Sequence, residues 1–137
     1  MRRAKDQESE DFLDAIKRDK AQVIEDFSLA AHRYAYVDRG LYSSQIERVF
    51  KFFPREQMLI IKYENFRADY SGTVDSVFDF LGIRRLRGLK NKERNVGPYE
   101  RKMTPKEREY VSAIFVEDIA KVESLLGWDC SDWRFKH

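Results

Sequence analysis

Residues 58–61, Met58-Leu59-Ile60-Ile61, are an unbroken aliphatic run inside "REQMLIIKYENF", residues 55–66. A run of this kind, followed at once by Lys62 and Tyr63, reads as a strand over about 57–63 buried on both faces. Strands of that type lie inside parallel sheets covered by helices. Such a strand needs a neighbour on each side, because backbone N–H and C=O groups removed from water must be paired. No other stretch of the 137 residues has this character. Either the strand pairs with a copy of itself, or the chain is part of a larger fold whose other strands lie elsewhere.

The remaining periodicity is helical. "ESEDFLDAIK", residues 8–17, puts Phe12, Leu13 and Ile16 at helical spacing, and a second helix over about 20–31 carries Val23, Ile24, Phe27 and Leu29. "LYSSQIERVFKFF", residues 41–53, carries an apolar stripe of Leu41, Tyr42, Ile46, Val49, Phe50 and Phe53, and Pro54 stops it. "SGTVDSVFDFLG" brings Val74, Val77, Phe78 and Leu81 to one face, with Gly82 placed as a C-cap. "TPKE", residues 104–107, predicts a helix start: Thr104 as N-cap, Pro105 in the first turn, Glu107 closing a capping box. That last helix runs to Gly127, and "WDCSDWRFKH" closes the chain with two tryptophans that pack back onto the body. The expectation is five helices and one buried strand in one domain.

Charge and cysteine content narrow the function classes. Between Arg84 and Arg108 there are ten Lys or Arg against three Glu, in a chain whose net charge is only +2, so positive charge is concentrated there. A total of +2 does not by itself imply nucleic acid. The one cysteine, Cys130, excludes an internal disulfide and a cysteine-rich metal site, reads as a buried small hydrophobe, and suits a reducing compartment. "MRRAKDQESEDF" is charged with no apolar run behind it, unlike a secretory signal, and no stretch reaches the roughly 20 apolar residues of a membrane span. The expected location is cytoplasmic. No His, Cys, Asp and Glu grouping has metal-ligand spacing.

Read together, residues 40–83 resemble the later half of the sulfotransferase domain. The pieces are Tyr42 and Gln45 opening a helix, the "FPREQ" turn (Phe53 to Gln57), and a hydrophobic strand ending in Tyr63-Glu64-Asn65. A helix ending in Phe80-Leu81-Gly82 follows. "LLGWDCSDW", residues 125–133, looks like the closing segment of bacterial members. The resemblance spans about residues 32–133 and implies an α/β, P-loop-like fold. The chain would be its mostly helical C-terminal part, with one clear buried strand (about 57–63). It implies the donor 3′-phosphoadenosine-5′-phosphosulfate (PAPS), a hydroxyl or amine acceptor, and the spent donor PAP as product. The family's first strands, its 5′-phosphosulfate loop and its catalytic base lie upstream. None of the six glycines here sits in a Gly-rich loop between a strand and a helix. Residues 1–137 are thus expected to be one partial domain lacking the phosphosulfate-binding half, with Met1 an internal methionine or a truncated gene start. No catalytic residue is assigned to the chain.

By position, "KERNVGPYERKM", residues 92–103, matches the family's loop over the donor's 3′-phosphate, although it departs from the Arg-Lys-Gly order of the animal cytosolic enzymes. The resemblance makes Arg94 and Arg101 a bidentate clamp, Lys102 a point charge, Asn95 a neutral donor, and Gly97 the position where backbone approaches. The plainer reading of the same residues is a solvated basic loop. Tyr36 and Tyr42, with Tyr34, fall where the family builds its acceptor wall; as amphipathic side chains they are better read, from the residues alone, as covering the edge of a core. His32 and His137 have no readable partner, and Glu64 reads as structural.

Three function classes remain open: a sulfotransferase domain inactive as an isolated chain, a non-catalytic helical interaction module, and a nucleic-acid binder using 84–108. The first implies a complementing N-terminal half, the second a homodimer or other partner. The third is disfavoured because only Tyr99 interrupts the basic stretch with an aromatic ring.

Overall fold

The computed structural model describes residues 11–21, 35–91, 97 and 101–134. They divide between two compact units, one drawn from residues 1–48 and 101–137, the other from 49–100. Six α-helices lie among the described residues. The expected helix over 20–31 falls almost wholly outside them, as do His32, Tyr34 and His137.

The first unit is organised by helices whose inward faces mix apolar and acidic residues. α1 (Phe12–Ala21) buries Ala15 and Ile16 and, one turn on along the same face, Asp19. Against it packs α2 (Tyr36–Gly40), whose Val37 is buried together with the preceding N-cap residue Ala35. α2 has no side-chain cap of its own. The Asp19 carboxylate supplies one by accepting from the Val37 N–H, which explains an acid on a buried face. α3 (Tyr42–Phe50) follows after one residue, in the segment expected to be helical.

α6 (Pro105–Leu126) is the long helix, roughly 33 Å at 1.5 Å per residue. Its start has the form expected of "TPKE". The Thr104 hydroxyl accepts from the Glu107 N–H (3.3 Å), and the Glu107 carboxylate accepts from the Thr104 N–H (2.7 Å). Its end is Gly127 at φ 67°, a left-handed position that favours glycine, whose N–H bonds Glu123 C=O at 2.8 Å. The chain then turns back through a 3₁₀ turn, Ser131–Trp133. Ile119, Val122 and the wholly buried Cys130 form the core, with Ile46, Phe115, Leu126, Trp128 and Trp133 packed on it. Both tryptophans and Cys130 therefore do what the sequence implied.

The second unit contains α4 (Tyr63–Ala68) and α5 (Tyr70–Leu81), which pack together. The rings of Tyr63, Phe66 and Tyr70 meet in sequence, the first pair tilted and the second edge-to-face, with centroids 6.3 and 5.3 Å apart. Asp69 caps α5 through the Gly72 N–H (2.8 Å), and Gly82 at φ 64° ends it, as its position predicted. Beyond it, Arg85 folds back on Asp79 and Asp75 of the same helix.

The buried strand over 57–63 is not present: among the described residues there is no strand. Residues 55–57 form a 3₁₀ turn and Tyr63 already belongs to α4. The intervening backbone is extended, with Met58 at φ −127°, ψ 122° and Lys62 at φ −72°, ψ 127°. A strand, however, is a paired state, and no described segment pairs with 58–62. Nor is the run buried on both faces. Leu59 and Ile61 are each 39% exposed while Lys62 is buried, so side chains alternate as on a one-sided strand. The aliphatic run reported intrinsic preference correctly, but not pairing, which depends on what lies beside it.

Gly40 ends α2 beneath the Phe115 ring; a Cβ there would stand 2.7 Å from Phe115 Cε1. Gly40→Ala should destabilise the protein by about 1–3 kcal/mol through overpacking. Thermal unfolding should show the loss, and Phe115→Leu in the same chain should recover part of it. Additive losses would show that the ring and the glycine are not in conflict.

Candidate functional site

The sequence-derived nucleotide residues are distributed as follows. Arg94 and Asn95 lie outside the described residues. Gly97 is exposed, with nothing within 4 Å of where a Cβ would be. Lys102 is exposed just before the cap of α6. Arg101 is already engaged: Nη1 and Nη2 donate to the two Glu107 oxygens at 2.8 and 2.7 Å, and Nη2 stands 3.6 Å from Asp11. Arg101 meets Lys102 only through the latter's carbonyl, at 3.4 Å.

This fork fixes the charge state of both partners. Glu107 is held down at about 2, first by the Arg101 guanidinium and then by the Thr104 N–H, against desolvation. Arg101 is pushed up, chiefly by its hydrogen bonds to Glu107. The carboxylate thus closes the α6 capping box and anchors the end of the basic loop at once.

Tyr36 and Tyr42 open successive helices, α2 and α3. Tyr36 is exposed. Tyr42 lies edge-on to Trp133, centroids 6.0 Å apart, and with Gly40, Phe115, Asp118, Ile119 and Trp133 it lines a cavity of about 200 Å³. An apolar pocket with one tyrosine edge and one carboxylate suits a small organic group. It is too small for a nucleotide.

Sequence reading missed Asp118. This buried carboxylate accepts from the Tyr42 N–H (2.9 Å), the Ser43 N–H (3.1 Å) and the Ser43 hydroxyl (2.6 Å). It is the N-terminal cap of α3, supplied from 75 residues away in sequence. A signal existed: Asp118 interrupts the apolar face of α6, three residues after Phe115 and four before Val122. Glu64, in the first turn of α4, is exposed. Among the described residues no His, Cys, Asp and Glu group could hold a metal, and no helix is long and apolar enough to cross a membrane.

Comparison with known proteins places this geometry. A family model described as the sulfotransferase domain matches residues 4–93, about two thirds of the chain. The membrane-associated sulfotransferase kil1 of Dictyostelium discoideum is 28% identical over 120 residues, covering 86% of this chain and 25% of that protein. The crystal structure of a sulfotransferase from Alicyclobacillus acidocaldarius superposes with TM-score 0.67 and 28% identity, over 93% of this chain and 47% of that one. The chain therefore spans a quarter of the curated relative and about half of the solved one.

Two outcomes are expected. Asp118→Ala leaves two helix-start N–H groups and a buried hydroxyl without their acceptor, and should cost about 2–4 kcal/mol by denaturant unfolding. Asp118→Asn, which keeps one acceptor oxygen, should cost less. For Glu107, a carboxyl held below its ordinary value contributes stability that is complete above pH 4.5 and lost as pH falls towards about 2. Arg101→Ala should therefore raise the acid-unfolding midpoint by about half a pH unit or more. In a Glu107→Gln background the same change should move it far less.

Proposed function

Because the chain belongs to the sulfotransferase domain family, we propose that it forms the 3′-phosphate and acceptor side of a PAPS-dependent sulfuryl transfer to a hydroxyl or amine. The agreement in fold with a solved sulfotransferase over 93% of the chain is the observation that carries this reading. In it, Arg94, Asn95, Gly97 and Lys102 are the residues of the loop assigned to the 3′-phosphate. Arg101 has two of its five N–H groups on Glu107, so it serves mainly to pin the loop's end and offers the phosphate only its outward donors. Tyr42 and Tyr36 contribute to the acceptor wall, with the small cavity beside Tyr42 receiving the group next to the reacting hydroxyl.

In the transfer, the acceptor oxygen or nitrogen bonds to sulfur, the bond from sulfur to the donor's phosphate oxygen breaks, and PAP leaves with that electron pair. The acceptor proton goes to a base, and no residue described here is assigned that task. The 5′-phosphosulfate requires a Gly-rich loop that these 137 residues do not contain, so on this reading these residues by themselves turn over nothing. The same reading puts the chain in the cytoplasm, in keeping with a lone cysteine, Cys130, that is buried.

A specific observation favours a second reading, a non-catalytic interaction module or homodimer. The second unit leaves Phe52 74% exposed, with Phe53, Leu81, Ile83 and Leu86 also more than half exposed. Sedimentation separates the two, since a monomer at high concentration argues against self-association.

Calorimetric titration with PAP, using AMP as control, tests the first reading. Selective binding that falls about tenfold in Arg94→Ala, through loss of a charge-assisted contact, supports a 3′-phosphate site. Absence of heat from the folded chain would remove the nucleotide assignment.

A further inference from the structure

The second unit carries a segment of distinctive composition at the end of α5. Residues 81–90, "LGIRRLRGLK", interleave four aliphatic side chains with four cations and contain no acid and no aromatic ring. Every one of these residues is exposed. Leu81, Ile83 and Leu86 keep 57%, 53% and 59% of their surface in water, and Leu89 keeps 43%. Single apolar residues scattered over a surface are ordinary, but a run of them within ten positions marks a docking surface.

The exposure is built into the turn. Gly82 ends α5 at φ 64°, and the Gly82 and Ile83 N–H groups close on the Asp79 and Phe78 carbonyls, both at 3.1 Å. Arg85 then folds back on α5, its Nε 2.8 Å from Asp79 Oδ1 and its Nη1 3.2 Å from Asp75 Oδ2. Ile83 and Leu86, on either side of these ties, are held where they stand in solvent. The same ties sort the cations. Arg85 is spent on the two aspartates, whereas Arg87 stands 3.9 Å from Asp75 with 84% of its side chain exposed. Arg84 and Lys90 have no ion-pair partner among the described residues.

Charge and side-chain type together select the partner. The cations call for an anionic surface, and the aliphatic residues for one that takes apolar groups out of water. Single-stranded nucleic acid meets the first condition, but it is gripped through rings stacked on bases, and this segment has none. An anionic lipid surface meets both, since its phosphates attract cations and its headgroup boundary admits aliphatic side chains. We propose that residues 81–90 are a membrane-surface segment. Leu81, Ile83, Leu86 and Leu89 enter the headgroup boundary of an anionic bilayer, Arg84, Arg87 and Lys90 pair with its phosphates, and Arg85 braces the segment against α5. The segment lies on the bilayer, and none of the described helices is long and apolar enough to span it. The assignment rests on this surface alone and is independent of the nucleotide reading.

The test is cosedimentation of the full chain with vesicles of phosphatidylcholine and phosphatidylserine, against vesicles of phosphatidylcholine alone. The expected result is saturable binding to the mixed vesicles, about tenfold or more weaker without phosphatidylserine and reduced by added salt. Leu86→Ser with Leu89→Ser removes exposed side chains only, and should weaken binding about tenfold or more with circular dichroism unchanged. Arg84→Gln, Arg87→Gln and Lys90→Gln together should cost about a hundredfold, at about fivefold per cation. Should this triple variant fail to fold, the leucine pair decides. No sedimentation with the mixed vesicles, undiminished binding by the leucine variant, or a lipid-free dimer that the leucine changes dissociate would overturn the proposal. So would an oligonucleotide that binds more tightly than the vesicles and equally to the leucine variant, which would assign the segment to nucleic acid.

Discussion

The first unit depends on a carboxylate that sits where an apolar side chain would be expected. Asp118 is buried in the middle of α6 and receives three hydrogen bonds from the start of α3. Burying a lone carboxylate is costly. Here the donors are two N–H groups that a helix leaves unsatisfied at its start, and the positive end of the helix dipole adds to them. A nine-residue helix has little stability in water on its own. Its position is set by that distant acid, and with it the placement of Tyr42 over Trp133 and the small cavity between them.

The same device recurs. Asp19 caps α2 from α1, Glu107 joins the α6 start to Arg101, and Glu123 ties the C-terminal hook to the α6 end. The fully buried apolar core is small, centred on Ile119, Val122 and Cys130. Apolar burial supplies cohesion without direction. The carboxylates supply direction, since each fixes one chain segment against a particular turn of helix. Among the described residues no buried side-chain nitrogen or oxygen lacks a partner, so these acids are connectors and not stored strain.

What was legible in the sequence was local. The capping box of Thr104 and Glu107 and the left-handed glycine after Leu81 depend on residues within a few positions of one another, and the burial of Cys130 and of the tryptophans follows from their own apolar character. The order of motifs from Tyr42 to Gly82 identified the family before any geometry was known. The ties from Asp19 and Asp118 were not legible, because they join segments 18 and 75 residues apart and nothing in spacing reports the partner. Arg101 shows the same limit at the candidate site. Its charge suggested a phosphate, and only the fold revealed Glu107 six residues on as its standing partner.

The strand error has the same cause, and it also explains the contrast between the units. The extended course of 58–62 is set at both ends by its flanks. The 3₁₀ turn after Pro54 delivers Met58 in β geometry, and Lys62, as the N-cap residue of α4, takes the extended dihedrals that such a position requires. Between these two constraints three aliphatic residues follow, with Leu59 and Ile61 pointing outward. The segment therefore holds a strand's shape without a ladder, and β-branched preference at Ile60 and Ile61 agrees with that shape. In the first unit, buried acids meet every helix start they face. The described residues of the second carry surface ion pairs, such as Arg85 with Asp79, which contribute little, and a row of rings on α4 and α5. A unit built this way keeps its local conformation through turns and caps, while much of its apolar surface stays exposed. For that reason its sequence reads as a core although none of its described apolar residues is fully buried.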